Sequence, residues 1–336
     1  MPELCVSTEW TYRGLRAVVL ENHLLQVTIL PEAGAKICQI RYKPHDADLL
    51  WSNPRIAPAR LSIGARYDDV WSGGWDELFP NDEIATIDGE LYPDHGELWT
   101  GEWRFEPFMS GSEAGVRLEF TTPISAVRVE KQISIRSGES RVHFSHRLTN
   151  TGSADFTFLW KLHPAMAVTP QHRIDFPPMQ VVLEPAFPGT LAEARFPAEW
   201  PILVTGHGEI DLRRIPLPEQ RQLYFFYGAE LQAGWCALTN TATRLACAVQ
   251  FDESVFSSAW LFASYGGWRN YNVAVLEPCT GYPLNFEAMK AAGRHRILPA
   301  GSLLRTEVSF IVQEGLDSVG GIAEDGTLTE FQQVLA

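Results

Sequence analysis

Three residues, far apart along the chain, have the types and surroundings needed to move protons. His95 lies in Tyr92-Pro93-Asp94-His95-Gly96-Glu97-Leu98-Trp99, where acidic, aromatic and turn-forming residues meet. His163 ends the apolar run Phe156-Thr157-Phe158-Leu159-Trp160-Lys161-Leu162-His163, just before Pro164. Imidazole titrates near neutrality, so either ring can give or take a proton under ordinary conditions. Glu277 closes the apolar run Val273-Ala274-Val275-Leu276 and is followed by Pro278. A carboxylate so placed must be paired or hydrogen-bonded, and burial raises its pKa toward that of a useful general base. Each also has a structural reading: a histidine satisfied within the core, or a glutamate bonding the turn at a strand exit. His143 and His146 lie three apart in a strand pattern and so point to opposite faces, which argues against a shared metal or proton.

Residues 67–106 carry twelve carboxylates against one basic side chain, Arg104, and so supply −11 of the chain's net charge of −14. The same stretch holds Trp71, Trp75, Trp99 and Trp103. A solvated acidic face would explain the carboxylates, but such a face rarely needs tryptophans. Tryptophan beside carboxylate suits a polyol: the indole stacks on the apolar face of a sugar, and the carboxylate accepts its hydroxyl hydrogens. On this reasoning Trp71 and Trp75 are expected to stack on a sugar and Asp76 and Glu77 to bind its hydroxyls.

The composition narrows the alternatives. A net charge of −14 disfavours nucleic acid and anionic lipid as partners. The five cysteines, Cys5, Cys38, Cys236, Cys247 and Cys279, are scattered and lack metal-ligand spacing, so neither a disulfide framework nor a zinc site is expected. No residue spacing demands a metal or cofactor, and no run is long and apolar enough to span a bilayer. The start, MPELCVSTEW, shows neither a basic nor an apolar targeting region, which makes a cytoplasmic location, as a monomer or homodimer, the expectation.

The elements that must position these residues read mostly as strands. Leu24–Leu30 is rich in β-branched residues. Val116–Thr122, Val127–Ile135 and Val142–Thr149 alternate with period two, and Gly- and Asn-containing turns separate them. Further strands are expected within Leu223–Tyr227, Trp235–Leu238, Leu245–Phe251, Trp260–Ala263, Asn272–Leu276 and Thr306–Val312. Helical signals are few: two turns over Asn285–Ala292, and a capping pattern at Thr327-x-x-Glu330 that predicts a short helix at about 327–335. Many strands with almost no crossover helices predict an all-β, large antiparallel sandwich, and with no repeat or linker a single domain over 1–336 is the simplest expectation.

Three stretches resemble the aldose 1-epimerase, or galactose mutarotase-like, superfamily. GGWDELFPND followed by PDHGELWTGEW is similar to a Gly-Gly…Pro…His-Gly…Trp segment of hexose-6-phosphate epimerase relatives. FTFLWKLHPAMAV is similar to the strand bearing the second family histidine, and NVAVLEPCTGYP to the strand bearing the catalytic glutamate. The resemblance implies a β-supersandwich in which Glu277 is the general base, His163 the general acid at the ring oxygen, and His95 a second donor beside it. It implies a small sugar as ligand and no cofactor. Where those relatives carry an arginine before the glycine pair, this chain has Trp71-Ser72-Gly73-Gly74, and Leu98-Trp99 stands where many carry another basic residue. These departures argue against a phosphorylated sugar unless Arg60 or Arg66 reaches the site. Two other functions fit the same features: a carbohydrate-binding protein without turnover, and a glycoside hydrolase using Glu277 with Glu77 or Asp76.

Overall fold

A computed structural model describes residues 4–331. The chain divides into two compact units, each discontinuous in sequence. The first comprises residues up to Pro164 together with Cys279–Val308, and the second comprises Ala165–Pro278 together with residues from Ser309 onward.

The first unit is a sandwich of two antiparallel sheets. One follows the spatial order Leu4–Tyr12, Leu15–Asn22, Leu25–Leu30, Lys36–Tyr42, Trp75–Leu78 and the start of strand Lys161–Ala167, as far as Pro164. The other is an up-and-down row of Arg104–Ser110, Glu113–Thr121, Val127–Arg136 and Arg141–Asn150. The alternation seen in the sequence sets which residues face inward. Along Arg141–Asn150 every second side chain is buried, and Val142, Phe144, His146 and Leu148 all point into the sandwich. His146 therefore lies inside, while His143 stays on the outer face bonded to Glu139, as the odd spacing predicts.

The second unit contains the row formed by Asn272–Cys279 as far as Pro278, Ser258–Tyr265, Gln222–Ala229, Gln180–Leu183 and Ala198–Glu199, and a further antiparallel row of His172–Asp175, Trp235–Asn240, Leu245–Phe251 and the part of strand Leu303–Glu314 that begins at Ser309. Trp235, Ala237, Ala246, Ala248, Ile311, Leu316, Val319 and Leu328 form one of its apolar clusters. The strands predicted from the sequence are all present.

The Asn285–Ala292 prediction corresponds to a helix at Phe286–Ala291, with the Asn285 side chain capping the Ala288 N–H. The C-terminal helix expected at 327–335 is corrected. Leu328–Thr329 is a strand paired with Gly321–Ile322. The Gln313 side chain bonds both the N–H and the C=O of Leu328, and Glu330 accepts from the Asp317 N–H instead of closing a capping box. Leu328 is buried in the apolar cluster, so tertiary bonding overrides a weak local helix signal. Residues 332–336 of that prediction lie outside the described residues. Among the described residues, no helix is long and apolar enough to cross a membrane.

Candidate active site

The first unit gathers its chemistry around the strand pair Trp75–Leu78 and Lys161–Ala167. Their register sets His163 opposite Asp76 and Leu162 opposite Glu77. Successive residues of a strand point to opposite faces, so the neighbours Asp76 and Glu77 serve different places.

On one face, Asp76 Oδ2 accepts from Lys36 Nζ at 2.5 Å and from the Tyr67 hydroxyl at 2.8 Å. Lys36 Nζ also donates to the Gly73 carbonyl. The Tyr67 oxygen lies 3.1 Å from His163 Nδ1. Tyr67 opens the short helix Tyr67–Val70, and its ring stacks on His95, centroids 4.2 Å apart and 8° from parallel. Tyr67 thus joins the two histidines, one by hydrogen bond and one by stacking. Trp71 and Trp99 close the cluster, Trp71 lying edge-on to His163 and Trp99 edge-on to Tyr67. Lys36, Tyr67, Trp71, Asp76 and Trp99 line a narrow pocket of about 10 Å³, the space of one water molecule.

A tightly tied loop presents His95. Its backbone is left-handed, with φ 59°, and Gly96 follows at φ 74°. A Cβ on Gly96 would lie 2.0 Å from the Phe79 carbonyl oxygen, so only glycine permits this approach. The His95 N–H bonds the Asp82 carbonyl, and the Asn81 side chain donates to the Glu83 and Pro93 carbonyls. Asp94 accepts from His95 Nδ1 at 2.8 Å and from the Tyr67 N–H at 2.8 Å. His95 keeps 15% of its side chain exposed.

The two imidazoles differ electrostatically. Burial pushes His163 well below the usual histidine range, and the charges of Lys161, His95 and Lys36 act in the same direction. Burial would also lower His95, but Asp82 and the hydrogen-bonded Asp94 outweigh it, and its pKa is raised. Asp82 is itself paired with Lys161 on the His163 strand. One ring is thus biased to be neutral and the other to be protonated.

The opposite face of Trp75–Leu78 looks into the sandwich. Glu77 Oε1 accepts from Lys131 Nζ at 2.8 Å and from His146 Nε2 at 3.0 Å, and Trp75 packs on Phe144 with centroids 4.8 Å apart. The sequence expectations for Trp75 and Glu77 are therefore corrected: both are core residues bridging the two sheets. Asp76 and Trp71 do lie beside His163, but both are buried, Asp76 engaged with Lys36 and Tyr67 and Trp71 packed on Trp51 as well. Both line the narrow pocket beside Tyr67. All four tryptophans of the acidic stretch are buried, because that stretch folds inward. Its carboxylates are spent largely on the protein: besides those above, Glu97 accepts from the Ile124 and Ser125 N–H groups. Arg60 pairs with Glu32 at 2.6 Å. Glu277 stands on Asn272–Cys279 in the second unit and is buried, as its apolar context predicts.

Tyr67 and Lys36 were not singled out by the sequence. Tyr67 precedes two aspartates in a loop, and its partners lie up to 96 positions away, so no local pattern marks it. A wider groove of about 420 Å³ crosses the outer face of the Arg104–Asn150 sheet and is lined by Arg104, Arg117, Glu130 and Arg147. It contains none of the histidines discussed above, and Glu130 pairs with Arg128 and Arg147.

No family model matches the chain. Solved structures do match it over almost its whole length. A candidate aldose 1-epimerase from Klebsiella pneumoniae superposes with a TM-score of 0.73 at 14% identity, covering 93% of this chain and 83% of that one. A galactose mutarotase-like protein from Clostridium acetobutylicum gives 0.67 at 10% identity, covering 93% and 99%. A candidate aldose 1-epimerase from Escherichia coli gives 0.62 at 17% identity, covering 90% and 100%. The chain therefore has the large antiparallel β-sandwich fold of the galactose mutarotase-like proteins.

Proposed function

We propose that the protein is an aldose 1-epimerase, interconverting the α and β anomers of a neutral or weakly modified sugar. Opening a hemiacetal ring requires one base for the anomeric hydroxyl and one acid for the ring oxygen. It requires no covalent intermediate, and each group contributes about 10²–10⁴-fold. The observation that carries this reading is the pair of imidazoles joined by Tyr67, one held by a carboxylate and the other biased to be neutral. Mere binding has no need of two such differently tuned rings, and the burial of the tryptophans removes the stacking platform that a binding module would favour. Glu277 is the base in this reading, a role taken from the sequence resemblance, and the imidazoles serve the ring oxygen. The fold shared with proteins described as aldose 1-epimerases supports the same activity class.

The test is anomer exchange measured by NMR over a panel of aldoses and uronates. The wild-type chain is expected to accelerate exchange of at least one sugar, and Glu277→Gln to lower that acceleration by at least about 100-fold with the circular dichroism spectrum unchanged. Sugar binding by calorimetry with no acceleration across the panel would replace this reading with a non-catalytic one. Exchange by Glu277→Gln at the wild-type rate would remove that residue from the chemistry.

A further inference from the structure

One carboxylate oxygen in the narrow pocket has no donor. Asp76 is 1% exposed, and its Oδ2 is taken by Lys36 and the Tyr67 hydroxyl. Its Oδ1 is buried without a hydrogen-bond partner in the protein. An ionised oxygen left unsatisfied in the interior is costly, so such an atom marks a place for a donor. Asp76 lines the pocket of about 10 Å³ with Lys36, Ser72 and Trp99, and a space of that size takes one water or one hydroxyl group. Lys36 already balances the charge of Asp76, so the donor that fits is a neutral one.

A loosely tied segment separates this pocket from solvent. Ala59 and Leu61 line the pocket from residues 57–66, a stretch outside helix and strand in which Pro58 alone is buried. Among the described residues, positions 57–65 make one backbone hydrogen bond, from the Ala65 N–H to the Ser62 carbonyl, and it stays within the segment. Arg60, between the two lining residues, reaches Glu32 at 2.6 Å. Glu32 is also held by the N–H and the Nε of Arg16, so it stays anchored with or without Arg60. High exposure and few bonds to the body are the marks of a segment that opens at low cost.

We propose that the pocket is a socket for one hydroxyl of the ligand, accepted by Asp76 Oδ1, and that residues 57–66 are its lid, latched by Arg60 on Glu32. This deepens the epimerase reading, on which it rests for the ligand being a sugar. The lid parts from Glu32 to admit the hydroxyl and closes over it. Binding exchanges no charge: the hydroxyl donates its hydrogen to Asp76, and Lys36 stays paired.

The test uses the full-length protein and the anhydroalditols of glucose and galactose, pyranoses that lack the anomeric hydroxyl and so cannot be turned over, with their monodeoxy derivatives. At least one parent ring is expected to bind by NMR titration. Loss of one particular hydroxyl should weaken it at least about tenfold, and Asp76→Asn should level that difference. Opening is read without ligand from Ser72→Cys, which sets a thiol in the pocket at a position 5% exposed. Its reaction with a soluble thiol reagent, over the background of the native cysteines, should quicken about three- to tenfold when Arg60→Ala is added. Arg60→Lys should keep most of the protection, and the bound ring should slow the reaction. A thiol that reacts equally fast with and without Arg60 overturns the lid. Failure of both rings to bind, or deoxy derivatives that all bind as tightly as their parents, overturns the socket. None of these readings uses turnover, so rings that bind as expected while aldoses show no accelerated anomer exchange would sink the epimerase reading alone.

Discussion

The ion set inside the first sandwich gives a sharp test of how the site's strand is held. Glu77 and Lys131 are each 3% exposed at the side chain, and Glu77 Oε1 carries both Lys131 Nζ and His146 Nε2. Although burial alone would raise its pKa, Lys131 and His146 hold the Glu77 carboxyl well below the usual carboxylate range. Lys131→Met keeps much of the side-chain volume but leaves a buried carboxylate with its cation gone. Breaking a buried pair from one side costs about 3–5 kcal/mol, whereas removing both charges is much milder. At about 2–4 °C per kcal/mol for a unit of this size, Tm should fall by about 6–20 °C. The assay is urea unfolding followed by tryptophan fluorescence, with an unchanged slope showing that the unfolded state is comparable. Glu77→Leu combined with Lys131→Met should recover most of the loss, with a coupling energy on the order of 2 kcal/mol. A loss below about 1 kcal/mol for Lys131→Met alone, or strict additivity in the double variant, would refute the account of a desolvated, mutually dependent pair.

Three further outcomes follow from the His95 loop. Asp94→Asn removes a partner that raises the His95 pKa, so the imidazolium is lost at lower pH. Under the proposed function the alkaline limb of anomer-exchange rate against pH should shift downward, and an unmoved limb would count against a role for protonated His95. The same linkage has a definite sign in stability: a raised histidine pKa stabilises the fold below about pH 6.5, the unfolded value, and that contribution fades as pH rises through the folded value. Gly96→Ala places a methyl 2.0 Å from the Phe79 carbonyl oxygen at φ 74° and should cost at least about 1–3 kcal/mol, with reduced exchange activity, as read by thermal melts alongside the exchange assay.

The strands, and the burial of His163 and Glu277 at the ends of apolar runs, were legible in the sequence because alternation and apolar context are local signals. The orientation of Trp75-Asp76-Glu77 was legible in principle: in a strand only one parity can face a ligand, so the acidic pair could not both bind sugar. The composition of that stretch suggested an exposed polyol surface, but the tryptophans were core and several carboxylates were partners of Lys36, Lys131 and Lys161. Such pairings join residues dozens of positions apart, and no period in the chain encodes them. Tyr67 was silent for the same reason. At the C-terminus, Thr327 and Glu330 had the letters of a helix start, but Gln313 claimed Leu328 for a strand.

The strand Trp75–Leu78 holds adjacent carboxylates whose lysines come from different sheets. Deleting or inserting one amino acid within it would exchange their sides, setting an acid against the apolar interior and stranding Lys36 beside the histidines. Length changes should therefore be tolerated in the surrounding loops yet be lethal to folding within these four positions. Within this chain the Trp-Asp-Glu-Leu block and the distant Lys36 and Lys131 thus work as one unit, and none can be shifted without the others.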